Sequence, residues 1–185
     1  MDNKKQTHYH KELPESGILI ESRTNRPRYR SGVHTHNYPS LVYVVSGQGQ
    51  AEFNERRFDL GPDSVIILPE QIEHKFTDKP RTSMAVFSLY FYRNVPALNE
   101  NTRNYLLATG VPFTLPAFRS KNVRRLLRQI LNEQNRKPPG YKSGIRQLLS
   151  IVLLEIYRAH LELARNPNLY NASESSGRVR QVLDH

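Results

Sequence analysis

The chain has 185 residues, 37% hydrophobic and 24% charged, with 27 Lys plus Arg against 17 Asp plus Glu for a net charge of +10. That suffices for one ordinary domain with an appendage and excludes wholesale disorder, while the lack of cysteine excludes disulfide scaffolds, zinc fingers, iron–sulfur sites and cysteine catalysis. The positive excess fits either a polyanionic partner or arginines that solvate helix faces. The longest apolar run, Ile151 to Leu154, is four residues before Glu155; no membrane partner is expected. The polar start Met1 to Gln6 leads into no secretory segment, so the cytoplasm is the expected compartment.

In chain order, residues 1–17 are polar, carry His8, Tyr9 and His10, and show no periodicity, so they read as an N-terminal arm. From Ile18 to Leu115 the chain is rich in β-branched and aromatic residues cut by Gly, Pro, Asn and Asp. Leu41 to Val45, Gln50 to Phe53, Arg57 to Leu60, Ser64 to Leu68, Glu73 to Phe76 and Ser83 to Tyr92 read as strands, with a hairpin at Asn54-Glu55. Short strands without an intervening long helix predict a sandwich or small barrel over 18–116.

Residues 117–168 turn helical. One helix is predicted from a Ser120 N-cap to about Asn135, stopped by Pro138-Pro139-Gly140, with Val123, Leu126, Leu127, Ile130 and Leu131 on one stripe. A second runs from about Lys142 to Arg165 and is apolar on two sides. Leu149, Val152, Ile156, Ala159 and Leu163 make a seam, and Leu154, Tyr157 and Leu161 a second stripe. A helix apolar on two faces needs two coverings, one of them most simply from another subunit. A homodimer is therefore expected, with Leu149, Val152, Leu154, Ile156, Tyr157 and Leu161 as interface candidates. Residues 169–185 read as a polar linker, then Val179, Val182 and Leu183 at the spacing of a helix start.

The chemistry concentrates in Gly32-Val-His34-Thr-His36-Asn-Tyr-Pro-Ser40 and in Gly61-Pro-Asp-Ser-Val-Ile-Ile-Leu-Pro69-Glu-Gln-Ile-Glu-His74. His34 and His36, two apart on a strand, point to one side. These segments resemble the two motifs of the cupin superfamily, which implies a double-stranded β-helix barrel and a mainly β plus α fold. In metal-binding cupins two His and a Glu of the first motif and a His of the second share one metal. The matching positions here are His34, His36, Ser40 and His74, with serine replacing the carboxylate. Three imidazoles remain a usable set for a divalent Zn, Ni or Fe ion; alternatively they line a pocket without metal.

The succession of barrel, antiparallel two-helix unit, polar linker and Arg178-to-His185 tail is similar to the N-terminal half of AraC-type transcription regulators, especially sugar-sensing ones. The resemblance implies a small effector, such as a sugar, in the barrel and dimerisation through the helices. DNA would be bound only through a helix-turn-helix domain beyond this chain, which then reads as a fragment. It also implies effector contacts on the strands carrying Ser46, Phe76, Val86 and Ser88, beside His34, His36, Ser40 and His74, and an arm that either folds over the effector or is a plain terminus. By side-chain parity, and with no bulge, Ser40, Val42, Val44 and Ser46 follow the histidines on one face. No catalytic residue and no obligatory cofactor is expected. The competing expectations are a metal-dependent cupin enzyme, such as a dioxygenase or sugar isomerase, and a purely structural dimerisation module.

Overall fold

The computed structural model describes residues 7–8, 12–26 and 28–165. The expected linker and helix start at 169–185, and Tyr9 and His10 of the arm, lie outside these residues. Among the described residues, ten strands form two five-stranded sheets. One contains, in spatial order, β1 (Thr7–His8), β3 (His34–Thr35), β8 (His74–Asp78), β5 (Gly49–Phe53) and β6 (Arg56–Leu60). The other contains β10 (Phe113–Thr114), β7 (Ser64–Leu68), β4 (Ser40–Ser46), β9 (Ala85–Phe91) and β2 (Ile18–Thr24). Between the sheets lies an apolar core that includes Val44, Ala51, Phe53, Leu60, Ile66, Leu68 and Met84. This is the expected barrel.

The two sheets differ in how their sequences alternate, and the helices explain why. The second sheet is covered twice, by the first sheet on its inner face and by helices on its outer one. Accordingly all five residues of β7 are buried, as a strand hidden on both faces requires. β8 has only one covered face and alternates buried with half-buried. On the outer face of the second sheet, Ile18, Ile20, Leu41, Tyr43, Phe87 and Leu89 pack with the helices in a separate core.

Local chemistry sets the turns. Asn54 and Glu55 both adopt positive φ (50° and 60°), giving the expected two-residue hairpin between β5 and β6. Gly47 has φ +83°, and a Cβ there would sit 2.2 Å from the Ser83 carbonyl oxygen. Only glycine fits that crossing.

Three helices follow among the described residues. α1 (Glu100–Thr109) was not expected, because its apolar residues Leu106 and Leu107 are adjacent rather than spaced along a stripe. Asn99 caps it by accepting the Thr102 N–H at 2.8 Å, and Gly110 ends it in the left-handed region. α2 (Ala117–Arg136) starts after Pro116, three residues before the expected cap. Ser120 is therefore inside the helix, buried, with its hydroxyl donating to the Ala117 carbonyl at 3.0 Å. α3 (Tyr141–Arg165) runs antiparallel to α2 after a turn at Lys137–Gly140. Arg119 at the start of α2 ion-pairs with Glu155 at 2.8 Å and with Glu162, both in the second half of α3.

α2 also closes a sheet edge. Gln134 accepts from the Ile20 N–H at 2.8 Å and donates to the Ile20 carbonyl at 2.9 Å, so the side chain completes β2 as a neighbouring strand would.

The helical seam corrects part of the dimer expectation. Leu149, Val152 and Ile156 are 0% exposed, because α2 and the outer face of the second sheet already cover them. They cannot meet another subunit. Of the second stripe, Tyr157 is half-buried against Tyr105 of α1, ring centroids 5.2 Å apart. Leu154 and Leu161 keep part of their surface in water, each next in sequence to an ion-pair partner of Arg119, and Phe118, which precedes Arg119, is 80% exposed.

Candidate functional site

β3 and β8 are antiparallel neighbours, and their register places His34 directly opposite His74. Cross-strand partners share a face, so both rings enter the space between the sheets. His36 follows β3 by one residue and turns the same way, as the two-residue spacing predicts. The three rings form a triangle with centroid separations of 4.3, 5.0 and 5.1 Å. One ligating atom from each lies within 4.8 Å of the others, and all three residues are buried.

Backbone carbonyls orient two of the rings. His34 Nδ1 lies 2.8 Å from the Gly32 oxygen, and His74 Nδ1 lies 2.8 Å from the Ile72 oxygen. A carbonyl only accepts, so in each ring Nδ1 carries the proton and donates to it. His36 is held by aromatic rings, stacked on Tyr38 and edge-on to Tyr90. Burial, reinforced by the other two imidazoles, depresses the His74 pKa to about 3, against the hydrogen bond to Ile72. At neutral pH this ring is uncharged.

The rings line a partly open cavity of about 170 Å³, with exposed Arg23 on its rim. Of the sequence-predicted site residues, His34, His36, Ser40, His74, Phe76 and Ser88 border it, as does Val42. The β4–β9 register explains this grouping: Val42 faces Ser88 and Ser40 faces Tyr90, so one patch of sheet supplies all four. Ser46 does not belong to the cavity. The register shifts between Val44 and Ser46, and this irregularity reverses the parity and leaves Ser46 exposed. Val86 faces inward but packs with Val44, Ala51 and Met84 in the apolar core beneath the cavity.

Four lining residues escaped the sequence reading: Arg23, Tyr29, Ser31 and Tyr90. Tyr90 continues the parity of Val86 and Ser88 by one more step and was legible. Arg23 faces inward because it pairs with Val86 across β2 and β9, a register no local pattern reveals. Tyr29 and Ser31 come from the non-repetitive segment between β2 and β3. Ser31 is fixed there by accepting the Phe76 N–H at 2.8 Å. Beside the histidines, Thr7 and His8 pair in parallel with His34 and Thr35, so the arm's backbone runs along the histidine strand.

On β4 the next residue after Val42 points the opposite way. The Tyr43 hydroxyl donates to Asp63, and Arg124 of α2 donates to the Tyr43 oxygen at 3.2 Å and to Asp63 at 2.8 Å. Burial and the neighbouring Asp63 carboxylate push the Tyr43 pKa up. The strand that borders the cavity is thus tied to the helical layer one residue later.

The AraC-like ligand binding domain family model matches residues 18–150. Over 110 residues the chain is 29% identical to the uncharacterized HTH-type transcriptional regulator YobQ of Bacillus subtilis (strain 168), covering 60% of this chain and 42% of the relative. The chain thus spans well under half of that relative's length. Among solved structures it is similar to a cupin superfamily protein of Desulfitobacterium hafniense DCB-2 (TM-score 0.40, 14% identity, 43% of this chain and 72% of that one). It is also similar to a Cupin 2 conserved barrel domain protein from Salinispora arenicola CNS-205 (TM-score 0.39, 11% identity, 54% and 78%). No helix among the described residues is long and apolar enough to cross a membrane.

Proposed function

Because the chain belongs to the AraC-like ligand binding domain family, we propose that it is the effector-binding and dimerisation part of a DNA-binding transcription regulator and not an enzyme. The observation that carries this reading is the cavity between the sheets in which His34, His36 and His74 converge with Ser40 and Ser88. A small, walled space with a few placed polar groups suits a small polar ligand. Its hydroxyls and imidazoles match the hydrogen-bonding groups of a sugar, the effector implied by the resemblance to sugar-sensing regulators.

The mechanism we infer is a coupling between the cavity and the helices. Effector bound against Ser40 and Val42 holds β4, and the Tyr43–Asp63–Arg124 contacts carry that constraint to α2. Thr7–His8, alongside His34–Thr35, gives the arm a place to respond to the same ligand. Phe118, Ile151, Leu154 and Leu161 are among the apolar positions that keep surface for a second copy of the chain. A dimer arranged by effector would set the spacing of DNA-binding domains outside these residues, in a cytoplasmic regulator.

The histidine triangle favours one further reading of the same site. Three imidazoles, two of them oriented by carbonyls, are a donor set that fits Zn, Ni or Fe(II). His34, His36 and His74 would hold the ion, which when bound would supply Lewis acidity. A metal-dependent cupin enzyme, such as a dioxygenase or sugar isomerase, would need this metal together with an acid or base; the lining holds no carboxylate. The regulator reading is tested by a metabolite screen on the chain and on Val42→Phe, whose ring would fill the cavity. A ligand at 100 times its Kd stabilises by about 2.7 kcal/mol, visible as a rise in Tm. We expect such a ligand for the native chain and none for V42F. A ligand that stabilises both equally, or stoichiometric metal with turnover of a substrate, would contradict the regulator reading.

A further inference from the structure

The charges around the cavity narrow the ligand further than its hydroxyls do. Its lining includes no aspartate or glutamate and one permanent cation, Arg23. The guanidinium lies over the Tyr29 ring, 5.4 Å from its centroid, which holds it at the cavity's edge. No carboxylate among the described residues pairs with Arg23. Glu21, on the same face of β2 and opposite Ser88, does not line the cavity. Where the cupin pattern has a glutamate, this chain has Ser40, so the cavity's lining itself holds no carboxylate.

A second, independent observation sits on the cavity floor. The Ser88 hydroxyl is 1% exposed and makes no hydrogen bond within the described residues. A buried hydroxyl without a partner is costly, and one that borders a cavity calls for a partner inside it. Ser88 and Arg23 belong to neighbouring strands, with Arg23 opposite Val86, two residues from Ser88. A ligand with a hydroxyl or carboxylate oxygen at one end and a negative charge at the other spans the two. The volume of about 170 Å³ lies below the roughly 300–1,000 Å³ of pockets for drug-sized ligands, which favours a ligand on the scale of a three- to five-carbon acid.

Resting on the effector reading above, we infer that the ligand is a small hydroxycarboxylate, its carboxylate held by Arg23 and a polar oxygen held by Ser88. A planar guanidinium grips a carboxylate through two parallel N–H donors, which a neutral polyol cannot match.

Isothermal titration of the chelator-treated chain with matched pairs tests this: lactate against lactamide, and threonate against threitol. The acids should bind at least about tenfold more tightly than their neutral partners. Arg23→Gln, on an exposed residue, should weaken the acids about tenfold and close the gap within each pair. Ser88→Ala should weaken threonate and threitol alike. Arg128→Gln, an exposed cation elsewhere, should change neither, which separates a specific site from the general positive field. Equal binding within each pair, an unchanged acid affinity in R23Q, or equally good competition by inorganic phosphate would overturn the inference. If threitol binds and V42F abolishes it, the acid assignment falls while the effector reading stands. If none of the four binds, the acid assignment falls, and the metabolite screen decides the effector reading separately.

Discussion

Truncating Leu149 to alanine separates a core seam from a subunit interface. The side chain is fully buried inside one copy of the chain, between α2 and the outer face of the second sheet. Leu→Ala removes three carbon groups from an apolar setting, about 2.4 kcal/mol at roughly 0.8 kcal/mol each. The void left between two rigid layers adds to this, for a total loss of about 3–4 kcal/mol. In a chain of this size that lowers Tm by roughly 6–16 °C. Urea unfolding followed by circular dichroism should show the loss at constant m-value, and light scattering should show an unchanged mass. Phe118→Ser with Leu161→Ser should do the reverse, shifting mass toward the monomer with a stability change within about 0.5 kcal/mol once dissociated. If L149A instead dissociates a dimer and leaves the monomer's stability intact, the seam is an interface and the packing described above is wrong.

Other outcomes follow from single contacts. Tyr43→Phe keeps the Arg124–Asp63 ion pair but removes the hydroxyl between them, and should cost about 1–2 kcal/mol in urea unfolding. Gly47→Ala forces a Cβ onto the Ser83 carbonyl at positive φ and should cost more than about 2 kcal/mol or prevent folding, read from the unfolding midpoint or soluble yield. His160, whose Nδ1 lies 2.7 Å from the Tyr105 hydroxyl, has its pKa lowered by burial. The unfolded chain then takes up a proton at higher pH than the folded one. His160 therefore contributes stability fully present above its ordinary value of 6.5 and lost as pH falls below it. Urea midpoints measured from pH 7.5 to 5.5 should fall less steeply in His160→Gln than in the native chain.

Much of the barrel is legible because its strands obey simple rules. The continuous Ser64–Leu68 run and the Asn54–Glu55 turn each have one physical meaning. The histidine triangle is legible for the same reason, since side-chain parity within a strand is local. What escapes the sequence depends on relations between strands. Arg23 enters the site through its register with Val86, and Ser46 leaves it through a shift inside β4. The two-sided helix is read correctly as needing two covers. Yet periodicity cannot tell that the sheet and α2 supply the larger one, which hides Leu149, Val152 and Ile156. α1 is set by its Asn99 cap and by Leu106 and Leu107 packing on the sheet, not by a repeating pattern.

The most direct test is the NMR spectrum of the histidine rings during titration with a ligand that raises Tm. The signals of His34, His36 and His74 should shift together with one Kd, while His160, on the far side of the second sheet, stays still. A stabilising ligand that leaves those three unmoved, or moves His160 in their place, would contradict the assignment of the barrel cavity as the point where this chain senses its effector.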